Sequence, residues 1–184
     1  MNFYRYLHMG FLINGAWNSD INSKDYSGRV DSFRHFITAD GSSGFKAENN
    51  RYHLYISLAC PWACRTLIVR KLKKLESIIT LSIVDPIMAE NGWAFSNAAG
   101  CIPDTINNCN YLYQIYVMSK KDFTGRVSVP VLFDKKTQTI VNNESSEIIR
   151  MLNSEFNAFT DSKLDFYPEK FRHEIDEVNN PLIY

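Results

Sequence analysis

Between residues 52 and 84 three patterns follow one another with only short breaks, and that succession restricts the fold more than any other stretch of the chain. Tyr52-His53-Leu54-Tyr55-Ile56-Ser57 alternates large apolar residues with smaller polar ones, as a strand does. From Trp62 to Leu75 the apolar positions Cys64, Ile68, Leu72 and Leu75 recur at helical spacing, and Pro61 stands at the first turn, where its missing N–H costs nothing. Ile78-Ile79-Thr80-Leu81-Ser82-Ile83-Val84 is then continuously apolar and β-branched, closed by Asp85-Pro86, which reads as a buried strand. Strand, helix and strand in so short a span imply a parallel pair joined by a crossover, which hairpin-built sheets lack.

The rest of the chain extends this unit. A helix is expected near residues 111–119, and residues 126–133 form an apolar strand run with Pro130 inside it. Asp134 to Gln138 reads as a hairpin turn into Thr139-Ile140-Val141. Residues 144–156 place Ile148, Ile149, Leu152 and Phe156 on one helical face. The order βαβα, then ββα, is that of a thioredoxin-like α/β domain with a mixed sheet and flanking helices. Residues 1–49 carry Phe11-Leu12-Ile13 and Trp17, then a polar stretch ending in Gly41-Ser42-Ser43-Gly44, and are expected to form an extended N-terminal arm. The domain itself is assigned to 50–156, and 157–184 to a linker and a further helical start.

Composition excludes several functions. Twenty Lys plus Arg balance twenty Asp plus Glu, so there is no basic field to hold nucleic acid or an anionic membrane. No apolar run approaches the roughly 18 residues of a membrane span. One early positive charge is followed by a short apolar stretch broken by His8, Gly10 and Asn14, so no cleaved signal peptide is expected. Four cysteines, Cys60, Cys64, Cys101 and Cys109, are too few for a disulfide framework and lack metal-type spacing. They fit a reducing, cytoplasmic compartment and a protein without a bound metal.

The chemistry concentrates where the first strand meets the first helix. Cys60 immediately precedes the helix, where unpaired N–H groups and the positive end of the helix dipole favour a thiolate. Arg65 lies close enough in sequence to add positive potential. A buried structural cysteine would occupy the same position, and position alone does not separate the two. Cys64 is four residues on, so the dithiol spacing Cys-x-x-Cys is absent. That points to a one-cysteine mechanism with an external thiol, and to a core role for Cys64. Val129-Pro130 interrupts a strand as an edge or a special turn does; a cis bond there would turn backbone N–H and C=O groups toward Cys60, ready to pair with a small peptide. Asn143-Glu144-Ser145-Ser146 opens a helix, whose free N–H groups and Ser145 hydroxyl suit a carboxylate while Glu144 suits an ammonium. Simple capping explains the same residues.

Ser57-Leu58-Ala59-Cys60-Pro61-Trp62-Ala63, Glu90-Asn91-Gly92-Trp93, Tyr111-Leu112-Tyr113, the run from Gly125 through Val129-Pro130 to Leu132, and Val141 through Glu144-Ser145 to Arg150 together resemble the glutathionyl-hydroquinone reductases, the Xi-class glutathione transferases. The resemblance runs from about Gly10 to the last residue. It implies glutathione as co-substrate and glutathionylated aromatic molecules as substrates. The Cys60 thiolate would take the glutathionyl sulfur as a mixed disulfide and release hydroquinone, and a second glutathione would then leave as oxidised glutathione. By the same resemblance, Trp93 and Arg126 contact glutathione, Val129 and Pro130 present the backbone that pairs with the tripeptide, and Glu144 and Ser145 hold its γ-glutamyl end.

Two departures stand out. The family carries His at the position of Cys64. It also continues into an all-α C-terminal domain that lines the hydroquinone pocket and completes a homodimer, whereas Phe166-Tyr167-Pro168 and residues 174–180 resemble only its opening. A non-catalytic glutathione-binding module and an unstable remnant are therefore carried as alternatives.

Overall fold

The structure, a computed structural model, describes residues 10–21 and 26–183, the side chains of 180–183 excepted. The first nine residues, on which part of the signal-peptide reading rests, lie outside the described residues. At the centre is a four-stranded sheet in the order β6-β5-β7-β8, formed by β5 (Tyr52–Ile56), β6 (Thr80–Ile83), β7 (Val131–Asp134) and β8 (Thr139–Asn142). β5 pairs with β6 in parallel, as the crossover demands, and β7 is antiparallel to both β5 and β8. Helices α1 (Pro61–Leu72) and α3 (Ser145–Ser154) pack against each other, and α2 (Leu112–Ser119) packs on β8. This is the thioredoxin-like mixed sheet with flanking helices that the strand and helix order predicts.

Every residue of β5 is buried, so the central strand is covered on both faces. Its one polar member, His53, is satisfied by the facing strand: its Nδ1 lies 2.6 Å from Thr80 Oγ1 and its Nε2 2.9 Å from Ser82 Oγ. Burial pushes the His53 pKa down to about 3, so the imidazole is neutral. A second buried polar group ties the start of β5 to the end of β7. The Arg51 guanidinium forks onto Asp134 at 2.9 and 2.6 Å. Burial pushes the Asp134 carboxyl up, but Arg51, the Thr137 hydroxyl and the Lys136 amide outweigh it and hold it below the ordinary range.

The N-terminal segment is more than an extended arm. β1 (Phe11–Ile13) and β2 (Ala16–Asn18) form a hairpin whose Leu12 exchanges two backbone hydrogen bonds with Gly125, each 2.9 Å. Leu12, Phe33, Ile37 and Ala47 are buried in the common core, and two short parallel strands, β3 (Ile37–Thr38) and β4 (Phe45–Lys46), close the segment. After α3, single 3-10 turns at Asn157–Phe159 and Glu169–Phe171 lead to α4 (Arg172–Ile183).

Helix α1 differs from its expected pattern in two respects. It ends at Leu72 because Lys74 adopts a left-handed conformation, with φ of 54°, and Lys74 and Leu75 donate to the carbonyls of Lys71 and Arg70, both at 2.9 Å. That is a Schellman stop with lysine where glycine is usual, and Leu75 buries itself as the hydrophobic contact that accompanies it. The stripe Cys64, Ile68, Leu72 also faces outward, Ile68 and Leu72 being 55% and 44% exposed. The buried face is Ala63, Thr66 and Arg70, whose polar groups bond to backbone carbonyls: Thr66 to Ala63, and Arg70 to Ile79 and Glu76. Apolar spacing alone chose the wrong face because the inward polar side chains are satisfied locally.

Candidate functional site

Cys60 is the N-cap of α1, its backbone still extended at φ −103° and ψ 112°. The sequence puts it there because proline accepts the first helical position but disfavours helical backbone in the residue before it. No side chain caps the first turn and no acidic residue lies in it, so the thiol stands at the free N–H end of the helix with no competing side-chain cap. The Sγ lies 3.8 Å from the carbonyl oxygen of Val129, and the Val129–Pro130 bond is cis. Pro130 is not on an edge: it stands just before β7, a strand with a partner on each side. The ladder begins only at Val131, which leaves Val129 outside it, and no described residue accepts from the Val129 N–H.

Across from this corner, α3 begins. Glu144 is its N-cap; its Oε1 accepts from the Ser146 amide and the Ser146 hydroxyl, each at 3.1 Å. The Glu144 amide in turn donates to Asn142 Oδ1 at 2.7 Å, which fixes the turn from β8 into the helix. Capping is therefore real here, and it uses only one oxygen of Glu144.

Cys60, Trp93, Arg126, Val129, Pro130, Glu144 and Ser145 all line a single cavity of about 390 Å³, together with Trp62, Arg65, Met88 and neighbouring backbone. The site residues expected from the sequence thus come together from four separate stretches of chain. Two residues do something other than expected. Arg65 reaches across to α3, donating to Ser145 Oγ from Nε at 3.0 Å and Nη2 at 2.6 Å, while its guanidinium sits 4.8 Å from the Trp62 ring centre. Partial burial pulls its pKa below the ordinary value, opposed by Glu144 3.7 Å away. Cys64 is only half-buried, and its thiol donates to the Leu58 carbonyl at 3.4 Å, so it is not a core residue.

Two supports escaped the sequence reading. Tyr116, fully buried on α2, donates from its hydroxyl to the Ser128 carbonyl at 2.8 Å and accepts from the Ser128 amide and the Asn143 side chain, both at 3.2 Å. One phenol thereby joins the segment before Pro130, which the sequence read as strand from residue 126 but which pairs only from Val131, to the turn before α3. Trp17 of the N-terminal hairpin donates to the Glu90 carbonyl at 3.1 Å and lies against Gly92, which has φ of 74° and where a Cβ would meet the indole at 2.8 Å. That contact seats the loop carrying Trp93. In sequence Tyr116 looks like any other apolar helix position, and Trp17 lies more than seventy residues from its partner.

Among the described residues no group of His, Cys, Asp or Glu is arranged to hold a metal ion, and no helix is long and apolar enough to cross a membrane.

A mixed sheet with a cysteine at its first strand-to-helix junction and a proline turn opposite defines a thioredoxin-like thiol site. Residues 59–155 match the family model described as glutathione S-transferase, N-terminal domain, and the chain belongs to that family. It is 48% identical to the glutathionyl-hydroquinone reductase YqjG of Escherichia coli, over 93% of this chain and 56% of that protein. It is 46% identical to the glutathionyl-hydroquinone reductase PcpF of Sphingobium chlorophenolicum, over 93% of this chain and 55% of that one. Among solved structures, the Xi-class glutathione transferase of Natrialba magadii superposes with a TM-score of 0.89 at 43% identity, covering 96% of this chain and 54% of the other. The glutathione-bound structure of YqjG superposes with a TM-score of 0.83 at 48% identity, covering 93% and 54%. The chain spans just over half the length of these relatives.

Proposed function

We propose that this chain carries the glutathione site and nucleophile of a glutathionyl-hydroquinone reductase. The observation that carries this reading is the shared cavity, in which a thiol, a backbone N–H at Val129 that no described residue accepts, and a helix start bearing both acceptor and donor face one another. A tripeptide with a thiol at its middle and a zwitterion at one end presents the complementary groups in the same order. Backbone pairing at Val129, beside Pro130, sets the glutathione sulfur against Cys60. Glu144 and Ser145 take the γ-glutamyl ammonium and carboxylate, while Trp93 and Arg126 close the other walls.

In the reaction, the Cys60 thiolate attacks the glutathionyl sulfur of an S-glutathionyl-hydroquinone. The sulfur–aryl bond breaks, the ring takes a proton, and Cys60 is left in a mixed disulfide with glutathione. A second glutathione thiolate attacks the glutathione sulfur of that disulfide, releasing oxidised glutathione and restoring the Cys60 thiolate. The absence of any Cys-x-x-Cys spacing makes this external thiol necessary. Residues 50–156 form the glutathione-binding unit in this reading, and 157–184 begin the helical part that helps to bind the aromatic group and to build a dimer. The four free cysteines fit a reducing, cytoplasmic setting.

The test is turnover of an S-glutathionyl-hydroquinone by the purified chain beside its Cys60→Ser variant. Release of hydroquinone and oxidised glutathione by the first and not by the second is expected. Equal activity in both overturns the assignment of Cys60, and glutathione binding without turnover in either favours a binding module.

A further inference from the structure

The bond pattern around Ser145 bears on how one end of the ligand is selected, and it builds on the glutathione reading above. A serine hydroxyl has two lone pairs and one hydrogen. Both N–H groups of Arg65 that reach it, Nε at 3.0 Å and Nη2 at 2.6 Å, donate, and a guanidinium has nothing with which to accept. The lone pairs of Ser145 are therefore occupied and only its hydrogen remains to be placed. The acceptor now within reach is Glu144 Oε1, at a long 3.4 Å, and that oxygen already accepts from the Ser146 amide and hydroxyl. Glu144 Oε2 accepts from no described residue.

We propose that Arg65 is a positioning residue that makes Ser145 an obligate hydrogen-bond donor, dividing the start of α3 into a half that takes a carboxylate and a half that takes an ammonium. The hydroxyl cannot accept from an ammonium or an amide N–H, so it rewards an acceptor at that point and penalises a donor. Glu144 Oε2 has the opposite preference. A ligand that presents a carboxylate to Ser145 and an ammonium to Glu144 satisfies both, as a γ-glutamyl end can. The bland alternative is a brace: Arg65 packs on Trp62 and links α1 to α3, and a brace would serve any ligand of the cavity equally.

Calorimetric binding to the reduced chain separates the two. The ligands are glutathione, the analogue whose γ-glutamyl carboxylate is a carboxamide, and the analogue lacking the amino group. Wild type is expected to favour glutathione over the carboxamide by about tenfold or more, the scale of one charge-assisted hydrogen bond. In Arg65→Met that preference should fall to within about twofold, while the preference over the deamino analogue, read through Glu144, stays within about twofold of wild type. Arg65→Lys, which keeps the charge but offers a single point donor, should give an intermediate carboxamide ratio and serves if the Met variant does not fold. A carboxamide ratio unchanged in either variant, or both ratios collapsing together, overturns the inference and leaves a brace. Wild type that binds no glutathione overturns the functional reading as well.

Discussion

At the scale of single residues, most of the site is held by backbone and by groups that never face the cavity. Cys60 reaches Val129 because Ser128 is pinned, and Ser128 is pinned by one phenol. Burial pushes the Tyr116 pKa up, opposed by its bonds to Ser128 and Asn143, so it remains a neutral hydroxyl. Tyr116→Phe strips a donor from the Ser128 carbonyl and acceptors from the Ser128 and Asn143 N–H groups. A stability loss of about 1–3 kcal/mol is expected from groups left buried without partners, read from the urea midpoint, together with weaker glutathione binding. An unchanged midpoint and affinity would show that the two walls hold their positions without it. The sequence offered Cys60, Val129-Pro130 and Glu144-Ser145 because proline and helix-start chemistry are local. It could not offer Tyr116 or the direction of Arg65, since both depend on which helices end up adjacent.

At the scale of elements, the legible parts were those with one dominant pattern. β5, β6 and the β7–β8 turn were readable from alternation, β-branched runs and turn residues. α1 was readable as a helix but not in its burial or its end. Its inward Thr66 and Arg70 find carbonyl partners within the same unit, so a polar residue there costs little, and the outward Ile68 and Leu72 mimic a core stripe. The end was hidden because Lys74 fills a position that favours glycine. Lys74→Gly relieves the left-handed strain and is expected to stabilise the chain by up to about 1 kcal/mol, seen as a higher thermal midpoint. The ion pair it gives up, Lys74 with Asp161, is exposed on both sides and offsets little of that gain. A lower midpoint would mean that Lys74 contributes more than its backbone conformation indicates. β7 shows the same limit of local reading: a proline suggested an edge, yet the residue lies just before a central strand, where no ladder donor is asked of it.

At the scale of the whole molecule, the sheet carries a buried imidazole that links stability to pH. His53 stays neutral in the fold, with its pKa pushed down to about 3, whereas the unfolded chain protonates near the ordinary value of 6.5. The depressed folded pKa means that stability is complete above about 6.5 and declines as pH falls toward about 3. The slope reaches about 1.4 kcal/mol per pH unit at most. Asp104 favours the protonated ring while Lys135 and Arg70 oppose it, so burial remains the dominant cause. Urea midpoints measured between about pH 7 and pH 5, where most carboxylates stay ionised, should fall for wild type and change less for His53→Gln. Parallel curves for the two would remove His53 from the account.

The central claim is that one thiol of four is set against a bound glutathione sulfur. Fold and family place this chain among glutathione transferases, but neither says which cysteine reacts. Cys60 alone stands at a helix start beside the Val129 backbone, whereas Cys64 donates to Leu58, Cys101 to Asp85, and Cys109 is half-buried with its pKa pushed up to about 11 by burial and by Asp104. The most direct measurement is peptide mass spectrometry of the reduced, folded chain after brief exposure to oxidised glutathione near neutral pH, where a reactive thiolate displaces one glutathione and keeps the other. The account predicts glutathione on Cys60 and not on Cys64, Cys101 or Cys109; modification spread over the four, or an unmodified Cys60, would contradict it.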